Sequence, residues 1–417
     1  MADLTSDNIL QQVITYQSGG LAFLQNQNCF IGTANTKFKN FDKLTANLGD
    51  TVSFDLPLRS TAVNSLVWST EPIAQRTKQL TVDYPLSISQ AYDAQQFIFN
   101  LHDYMDNIGK SNIIELGSQL ESWMAELCVT DTYRFYGDGV TPINSSGQLA
   151  KALAQFRNYG AVMSMTKGYL SDVAVPDIIN TNANQFAPDR ANRELMSWEL
   201  GPFSNCEWYQ SNLLPVHVAG SEGEAGVELT VYSVTKNSLD QITAITFSGT
   251  SAASDANSIK EFDKMYFIDG VSGKPNLRYL TWTGYKPSAN PVQFRATADA
   301  ASNGSSRVTV NVYPFLQASV GKDQNITSEV QVGMKVKVLP SHRAGMITAG
   351  NPMFLAMPRL PAQVPFPTSN AIDPDTGVSL RMTYGSQLGL NTQVLGYDVI
   401  AGKAQVNEYT MALIFPL

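Results

Sequence analysis

The sequence is poor in charged residues. Asp, Glu, Lys and Arg together make up 15% of its 417 residues, whereas hydrophobic residues make up 43%. An ordinary soluble domain has about a quarter of its residues charged. Neutral polar side chains take the place of the missing charges, and charges are depleted at the cores of protein interfaces. This composition fits either an extensively self-associating protein or a neutral, loop-rich β protein that stays monomeric.

Basic residues are also few, and they are dispersed. The formal net charge is −8 and the sequence pI is about 5.0. Proteins dedicated to nucleic-acid binding usually have a basic stripe and a high pI. The charge distribution therefore argues against a dedicated nucleic-acid binder.

Long apolar runs are absent, and cysteines are rare. No stretch approaches the ~18 consecutive apolar residues of a transmembrane helix, and the start of the sequence does not have the pattern of a secretory signal. Cys29, Cys128 and Cys206 are far apart and odd in number, which favours reduced thiols over a disulfide framework. We therefore expect synthesis in a bacterial cytoplasm.

Catalytic and metal-binding motifs are missing. The three histidines, His102, His217 and His342, are isolated in sequence and do not have the spacing of a local metal site. No nucleophile elbow supports a catalytic triad. We therefore interpret the histidines as surface residues or as satisfied interior residues, and we predict no catalytic and no metal-binding residues.

Phosphate-binding loops are missing too. Gly220, Gly223 and Gly226 do not have the spacing of a dinucleotide-binding loop. We interpret these glycines as a flexible junction, and we predict no cofactor and no cofactor-binding residues.

Acidic residues occur in two arrangements that resemble sites. Residues 373–377 (DPDTG) resemble a calcium loop, but the glycine comes one position early and the bidentate glutamate is missing, so a turn is the better interpretation. Glu115, Glu121 and Glu126 lie in a helical pattern, and we expect them to be solvated or paired with a neighbour.

The first third of the chain predicts an arm, an extended loop and a long helix. Residues 1–38 form the arm, and residues 39–90 form the loop, whose alternating runs at 51–56 and 79–82 predict two strands. Within residues 91–130, apolar residues recur at helical spacing, which predicts a helix of about thirty residues with a possible kink at Gly109. These residues are Phe97, Leu101, Tyr104, Ile108, Leu116, Leu120, Trp123 and Leu127.

The remaining chain predicts a mixed region, a β insertion and a return. Residues 131–217 are mixed α/β, with helices at 147–156 and 191–200 and a strand at 173–179. Residues 218–339 alternate in period two between Gly- and Ser-rich gaps, which predicts an inserted all-β domain, either a small barrel or a sandwich. Residues 340–417 return to the mixed fold and end in strands at 393–400 and 409–415.

This order of elements resembles the coat protein of short-tailed bacteriophages. That family has the tailed-phage major capsid fold with an inserted β-domain, so the resemblance implies an α+β fold class. Three segments are similar locally: Asn180–Ala187 to a turn after a strand, Asn212–His217 to the step into the insertion, and Gln324–Thr327 to the segment that leads out of it.

The resemblance implies a structural function without catalysis. It implies a major capsid protein that self-assembles, as hexamers and pentamers, into an icosahedral shell in the virion. Implied partners are a portal, a scaffolding protein and a decoration protein. The resemblance also implies that the shell encloses double-stranded DNA without sequence-specific binding, and it implies no membrane partner. Because the arm shows no highly charged helical prosegment, we expect the scaffolding protein to be a separate chain.

Three other functions remain open on the sequence. A nanocompartment shell would have the same fold, but such shells are generally shorter and lack a large β insertion. A tail, fibre or adhesin-like β module conflicts with the long helix and the mixed region. A hydrolase with dispersed catalytic residues would be revealed by activity screening.

Overall fold

The structure, a computed structural model, describes residues 29–36, 49–60, 66, 75–93, 110–160, 165–183, 202, 204–282, 284–361, 368–372, 378–386 and 392–417. The helices are α1 Cys29–Thr33, α2 Lys110–Ala125, α3 Leu127–Thr130, α4 Ser146–Asn158, α5 Ala174–Ala183 and α6 Ser221–Ala225.

The strands run through the whole described chain. They are β1 Thr51–Asp55, β2 Thr77–Thr81, β3 Tyr84–Asp93, β4 Phe135–Tyr136, β5 Thr166–Ser171, β6 Cys206–Ser211, β7 Val216–His217, β8 Glu228–Lys236, β9 Ile242–Ser248, β10 Lys264–Phe267, β11 Arg278–Leu280, β12 Pro287–Pro291, β13 Gln293–Ala296, β14 Arg307–Leu316, β15 Lys335–Val338, β16 His342–Ala349, β17 Met353–Ala356, β18 Thr368–Ile372, β19 Ser379–Ser386, β20 Thr392–Gln405 and β21 Thr410–Phe415.

The chain divides into two compact units. Unit 1 consists of residues 1–56, 75–125 and 351–405, and unit 2 consists of residues 57–74, 126–350 and 406–417. Each unit is therefore assembled from three separate stretches of the sequence.

Helix α2 is the long helix of unit 1. Leu116, Leu120 and Met124 lie on one face and are at most 1% exposed, as expected of an amphipathic helix. The Trp123 ring stacks on Tyr84 at a centroid distance of 4.3 Å. The predicted helix is confirmed over residues 110–125 and then divides, since α3 starts at Leu127. Its predicted start at 97 and the glycine at 109 lie outside the described residues.

Strand β20 organises the sheet of unit 1. Strand β20 pairs with β3 over ten residues, with β19 on the opposite side, and with β17 near its C-terminal end, all antiparallel. Leu395, Tyr397 and Val399 are buried, following the period-two alternation of a strand. Strand β3 ends at Asp93, three residues beyond the predicted end of the extended loop at residue 90.

Strands β1 and β2 form an antiparallel ribbon, as predicted for the extended loop. Thr51 pairs with Thr81, and Asp55 pairs with Thr77. Phe54 and Leu80 are buried on the inner face, and Phe54 stacks on Phe354 at 4.3 Å. The ribbon therefore has one face packed within unit 1 and one face in solvent.

The mixed sheet of unit 2 has the order β4-β21-β16-β5-β6, with β7 also paired to β16. Helix α4 confirms the predicted helix at 147–156. It begins after Ser145, whose side chain accepts a hydrogen bond from the Gln148 N–H, as an N-cap residue does.

Helix α5 corrects the predicted strand at 173–179. Pro176 occupies the third helical position, where the missing N–H would have had no intrahelical acceptor. Val175, Ile178 and Ile179 are at most 1% exposed, and their 3-and-4 spacing places them on one helical face. The apolar cluster thus reflected a buried helix and not a strand.

The inserted domain is a closed antiparallel barrel in the order β10-β13-β14-β9-β8-β15. On β14, Val308, Val310 and Val312 are buried, whereas Thr309 and Asn311 are exposed. This alternation is the one that predicted the strands. The prediction of an α+β fold class with an inserted all-β, barrel-like domain is confirmed.

Two local similarities do not have the predicted structure. The segment Asn180–Ala187 was expected to form a turn, but its first four residues belong to helix α5. The segment Gln324–Thr327 was expected to lead out of the insertion, but Ile326 is fully buried and bridges to Tyr279. The chain leaves the barrel later, after β15.

Candidate functional site

Two of the three histidines lie side by side in unit 2. His217 on β7 pairs with His342 on β16, and their ring centroids are 5.4 Å apart. These strands carry the chain into and out of the barrel. His102 lies outside the described residues. The sequence separation of 125 residues hid this pairing, because register between distant strands is set by tertiary structure.

Asp263 binds the histidine of the incoming strand. His217 Nε2 lies 2.7 Å from Asp263 Oδ1, and since a carboxylate only accepts, the ring nitrogen is the donor. The other carboxylate oxygen accepts from the N–H groups of Gly220 (3.1 Å) and Lys260 (2.8 Å). Asp263 is fully buried, so these donors replace the water that the carboxylate has lost.

Lys264 is the next residue and is also fully buried. Its Nζ donates to the carbonyl oxygen of Val129, at 3.2 Å. Burial, followed by the nearby Arg295 guanidinium, lowers the pKa of Lys264 to about 7. A lysine in this position exists in both protonation states near neutral pH.

His342 is held in its neutral form. Its Nδ1 donates to the carbonyl oxygen of Pro340, at 2.7 Å, and its Nε2 has no hydrogen-bond partner among the described residues. Burial, followed by the charge of Lys264, lowers the pKa of His342 to about 3. His217 is therefore a satisfied interior histidine, as the sequence suggested, whereas His342 is only partly satisfied.

These four side chains are a buried polar cluster, which we call the junction cluster: His217, Asp263, Lys264 and His342. None of them is more than 7% exposed, so the cluster offers no opening for a substrate. Within the described ranges, no group of three or more His, Cys, Asp or Glu side chains could hold a metal ion. The arrangement joins strands, and its chemistry is that of hydrogen bonds and proton uptake.

The glycines beside the junction cluster are closely packed. A Cβ atom on Gly220 would lie 2.5 Å from the Ser258 carbonyl oxygen, and one on Gly223 would lie 2.4 Å from the Leu339 carbonyl oxygen. The interpretation of these glycines as a flexible junction is therefore wrong at these two positions. The missing side chains allow backbone segments to approach each other.

Glu121 is a second buried acid, located in unit 1. It is 2% exposed, and its carboxylate accepts hydrogen bonds from the N–H groups of Phe30 (2.6 Å) and Ile31 (3.1 Å). Burial raises the pKa of Glu121, and the hydrogen bonds from residues 29–31 oppose that rise. The three helical glutamates were expected to be solvated or paired with a neighbour. Glu115 and Glu126 are exposed, whereas Glu121 is buried and is bound by main-chain N–H groups of a distant segment.

Arg59, four residues after the end of strand β1, binds the inserted domain. Its guanidinium donates to the carbonyl oxygens of Thr281 (3.0 Å), Trp282 (3.3 Å) and Gln324 (2.5 Å). It also lies 3.9 Å from the ring centroid of Tyr285, a favourable cation–π distance. Arg59 and the residues that it contacts all belong to unit 2 of the same chain.

The outer face of the ribbon is the candidate contact surface. It has no apolar side chain and one charge, and its members are Thr51, Ser53, Asp55, Thr77 and Gln79, all exposed. Hydroxyl and amide groups of this kind can hydrogen-bond a partner without the large desolvation cost of charges. The sequence predicted the two strands, and the polar outward positions alternate with Val52, Phe54 and Leu80.

Other residues considered in the sequence carry no further site. No disulfide joins Cys29, Cys128 or Cys206 in the described part of the chain. Burial raises the pKa of Cys206 to about 12, which makes that thiol a poor nucleophile near neutral pH. Residues 373–377 lie outside the described residues. No helix in the described parts of the chain is long and apolar enough to cross a membrane.

Comparison with known proteins gave matches among solved structures. No protein-family model and no curated protein matches the sequence. The capsid of Ralstonia phage GP4 is 8% identical with a TM-score of 0.46, covering 93% of this chain and 88% of that one. The bacteriophage PhiM1 mature capsid is 8% identical with a TM-score of 0.42, covering 93% and 87%.

The head of Helicobacter pylori bacteriophage KHP40 also matches, at 9% identity and a TM-score of 0.39, covering 88% of this chain and 84% of that one. These are all bacteriophage capsid or head structures. They are the class of protein that the sequence resembles. Because their TM-scores lie below 0.5, we base the function on the elements and contacts of the chain itself.

Proposed function

We propose that this chain is the major capsid protein of a tailed bacteriophage, which self-assembles into the icosahedral shell around the genome. The observation that carries the proposal is the order of elements along the chain. A two-stranded ribbon precedes a long helix, a mixed sheet follows, a closed barrel is inserted into that sheet, and the chain then returns to long strands. In this proposal the protein acts through geometry and not through catalysis.

The ribbon supports contact between subunits. Its inner face packs within unit 1 through Phe54 and Leu80, and the exposed side chains of its outer face are available to another chain. An extended ribbon can add main-chain and side-chain contacts to a neighbour. We expect the outer face of β1 and β2 to lie against an adjacent subunit in the shell.

Helix α2 supports a rigid subunit. It is packed along Leu116, Leu120 and Met124, and Trp123 contacts both Tyr84 and the Lys403 ammonium, 4.5 Å from its ring centroid. A stiff core allows identical chains to occupy five-fold and quasi-six-fold positions while their contacts adjust. Expansion of a procapsid would then repack interfaces between two discrete arrangements.

In this proposal the barrel either stabilises the single subunit before assembly or makes contacts with neighbouring capsomers. Its strands close on each other, so it leaves no open edge for uncontrolled pairing. We further propose a scaffolding protein and a portal as partners, a decoration protein as an additional one, and DNA enclosed without sequence-specific contacts. The site of action would be the virion, after synthesis in the host cytoplasm.

The proposal is tested by negative-stain electron microscopy and light scattering on the purified chain, alone and with a candidate scaffolding protein. We expect closed, roughly isometric shells in at least one condition. A monomer or small ring that never closes, or a rod-shaped trimer typical of a fibre, would contradict the proposal.

A charge on the ribbon sharpens this test. Gln79→Lys places an ammonium group on the outer face, where burial against a neighbour would be costly, so assembly should slow while thermal stability stays unchanged. Thr235→Lys, at an exposed position of barrel strand β8, is the matched control and should assemble normally. Equal effects of the two variants would exclude the ribbon as the contact surface.

A further inference from the structure

The inserted barrel is attached to the mixed sheet of unit 2 through two neighbouring strands. The chain enters along β7 and leaves along β16, where His217 pairs with His342 and Val216 pairs with Arg343. The Ala344 N–H also donates to the Pro215 carbonyl oxygen, at 3.0 Å. Both covalent connections of the barrel therefore pass through one short antiparallel pair.

The junction cluster ties this strand pair to the barrel. Asp263 precedes the first residue of β10, and its carboxylate holds the incoming strand through His217 and the Gly220 N–H. Lys264, the first residue of β10, donates to Val129 on helix α3. Two adjacent residues thus connect the barrel to the strand pair on one side and to the helix on the other.

Few charges compensate a proton taken up in this cluster. Arg295 on β13 adds a second cation near Lys264, and Asp131 lies 4.0 Å from that guanidinium. Asp263 already has three hydrogen-bond donors, and Cys128 on α3 is another group near Lys264. A further positive charge on Lys264 would therefore be buried beside another cation.

Few charges would compensate a proton on His342 either. Lys264 and His217 face its ring, and Ser341 beside it donates its N–H to Glu224, at 3.0 Å. Glu224 also interacts with Lys260. No carboxylate among the described residues accepts a hydrogen bond from His342 Nε2, so a proton there would have no acceptor.

We propose that the junction cluster is a proton-sensitive clamp, which holds the inserted barrel firmly when Lys264 and His342 are neutral and loosens the β7–β16 attachment when they take up protons. In this proposal, proton uptake by Lys264 and His342 is the switch, and the β7–β16 strand pair is the element that changes from an attached to a loosened state. The clamp itself is a property of the single chain. Its consequence, an acid-dependent change in barrel position during shell assembly, rests on the proposed function.

The lowered pKa values of Lys264 and His342 determine how the stability of the closed junction depends on pH. Burial lowers the pKa of Lys264 from 10.5 to about 7, so the opened junction binds a proton more readily than the closed one between those values. Stability of the closed junction therefore falls as the pH is lowered through this window. Burial also lowers the pKa of His342 from 6.5 to about 3, which extends the loss to more acid pH.

The test is hydrogen exchange of the full chain, followed by mass spectrometry at pH 8 and pH 6, with rates corrected for the intrinsic effect of pH. From the Lys264 pKa of about 7, the protection of segments 212–222 and 339–346 should fall about tenfold or more. Protection of β14, within the barrel, should not change. Lys264→Met should abolish most of the pH dependence at the junction.

Lys335→Met is the control, since Lys335 is an exposed barrel lysine paired with Glu228, and it should behave as the wild type. If Lys264→Met does not fold, His342→Gln tests the clamp between pH 6 and pH 4.5, where it should remove a loss of about tenfold or more. Junction protection that is independent of pH, or equally dependent in the wild type and the folded variant, would overturn the proposal. Neither result depends on shell formation.

Discussion

The inserted barrel and the sheet of unit 1 bury their strands in different ways. In the barrel each of the six strands pairs on both sides, and the core is filled from within by residues such as Phe247 and Phe294. In unit 1, β20 is paired on both sides, and helix α2 packs against this sheet with Trp123 on Tyr84. A closed sheet encloses a hydrophobic core of its own, whereas an open sheet buries its apolar face only when another element, here helix α2, packs against it.

The two regions also use their buried acids differently. Asp263, at the barrel, has an imidazole donor in addition to main-chain N–H groups, whereas Glu121, in unit 1, receives main-chain N–H groups from residues 29–31. Asp263 therefore joins the start of barrel strand β10 to strand β7 and the segment after it. Glu121 holds a helix of five residues, too short to be stable alone.

The largest expected effect is in the barrel core. Phe294→Ala removes a fully buried ring and should lower the free energy of unfolding of the barrel by about 3 to 5 kcal/mol. The measurement is urea denaturation, with exchange protection of β14 as the local readout. Asn311→Ala, at an exposed position of β14, is the control and should change stability by about 0.5 kcal/mol or less. A small effect of Phe294→Ala would mean that the barrel does not carry its own core.

A smaller effect is expected at the acid of unit 1. Glu121→Ala leaves the N–H groups of residues 29–31 without their buried acceptor, which should cost about 2 to 3 kcal/mol. Exchange protection of residues 29–36 measures it. Glu115→Ala, at an exposed position of the same helix, should have little effect. Equal protection in both variants would show that Glu121 does not hold α1.

The pH dependence of this contact has the opposite sign to that of the junction cluster. Because burial raises the pKa of Glu121 above its ordinary value of 4.5, the folded chain binds a proton where the unfolded chain has already lost it. The contribution of Glu121 to stability is therefore largest at low pH and decreases as the pH rises from the ordinary pKa through the raised one. Glu121→Gln should remove this dependence, as acid titration of the unfolding midpoint would show.

The smallest effect is expected at a partly buried ion pair of the unit 1 sheet. Arg381 and Asp398 are directly opposite on β19 and β20 and form an ion pair at 2.7 Å. Arg381→Ala should cost about 0.5 to 1 kcal/mol, and 1 M NaCl should reduce the difference from the wild type. A salt-independent loss would point instead to the Arg381 hydrogen bond with the Pro361 carbonyl oxygen.

Strands were predicted well where one face is buried. The predicted runs at 51–56, 79–82, 393–400 and 409–415, and the alternating segments of residues 218–339, each overlap strands of the structure, because alternation is a direct consequence of the pleat. The run at 173–179 was predicted wrongly, since a short apolar cluster fits a buried helix as well as a strand.

The buried polar residues could not be predicted in the same way. Glu121 follows Leu120 directly in sequence and lies next to the apolar stripe of Leu116, Leu120 and Met124. No local sequence pattern shows that a distant segment buries the Glu121 side chain. Lys264 and Asp263 stand in an ordinary polar stretch of sequence. Arg59 stands in a loop, more than 200 residues before the carbonyl groups that it binds.

The sequence by itself determined the low charge, the predicted strands with their alternating faces, the helix over residues 110–125 and the insertion of a β domain after Pro215. These properties depend on composition and on residues near each other along the chain. Only the tertiary structure decided that the barrel closes, that His217 lies beside His342, and that Asp263, Lys264 and Glu121 are buried. Burial and pKa depend on which distant segments meet, and that is set by long-range packing and not by local spacing.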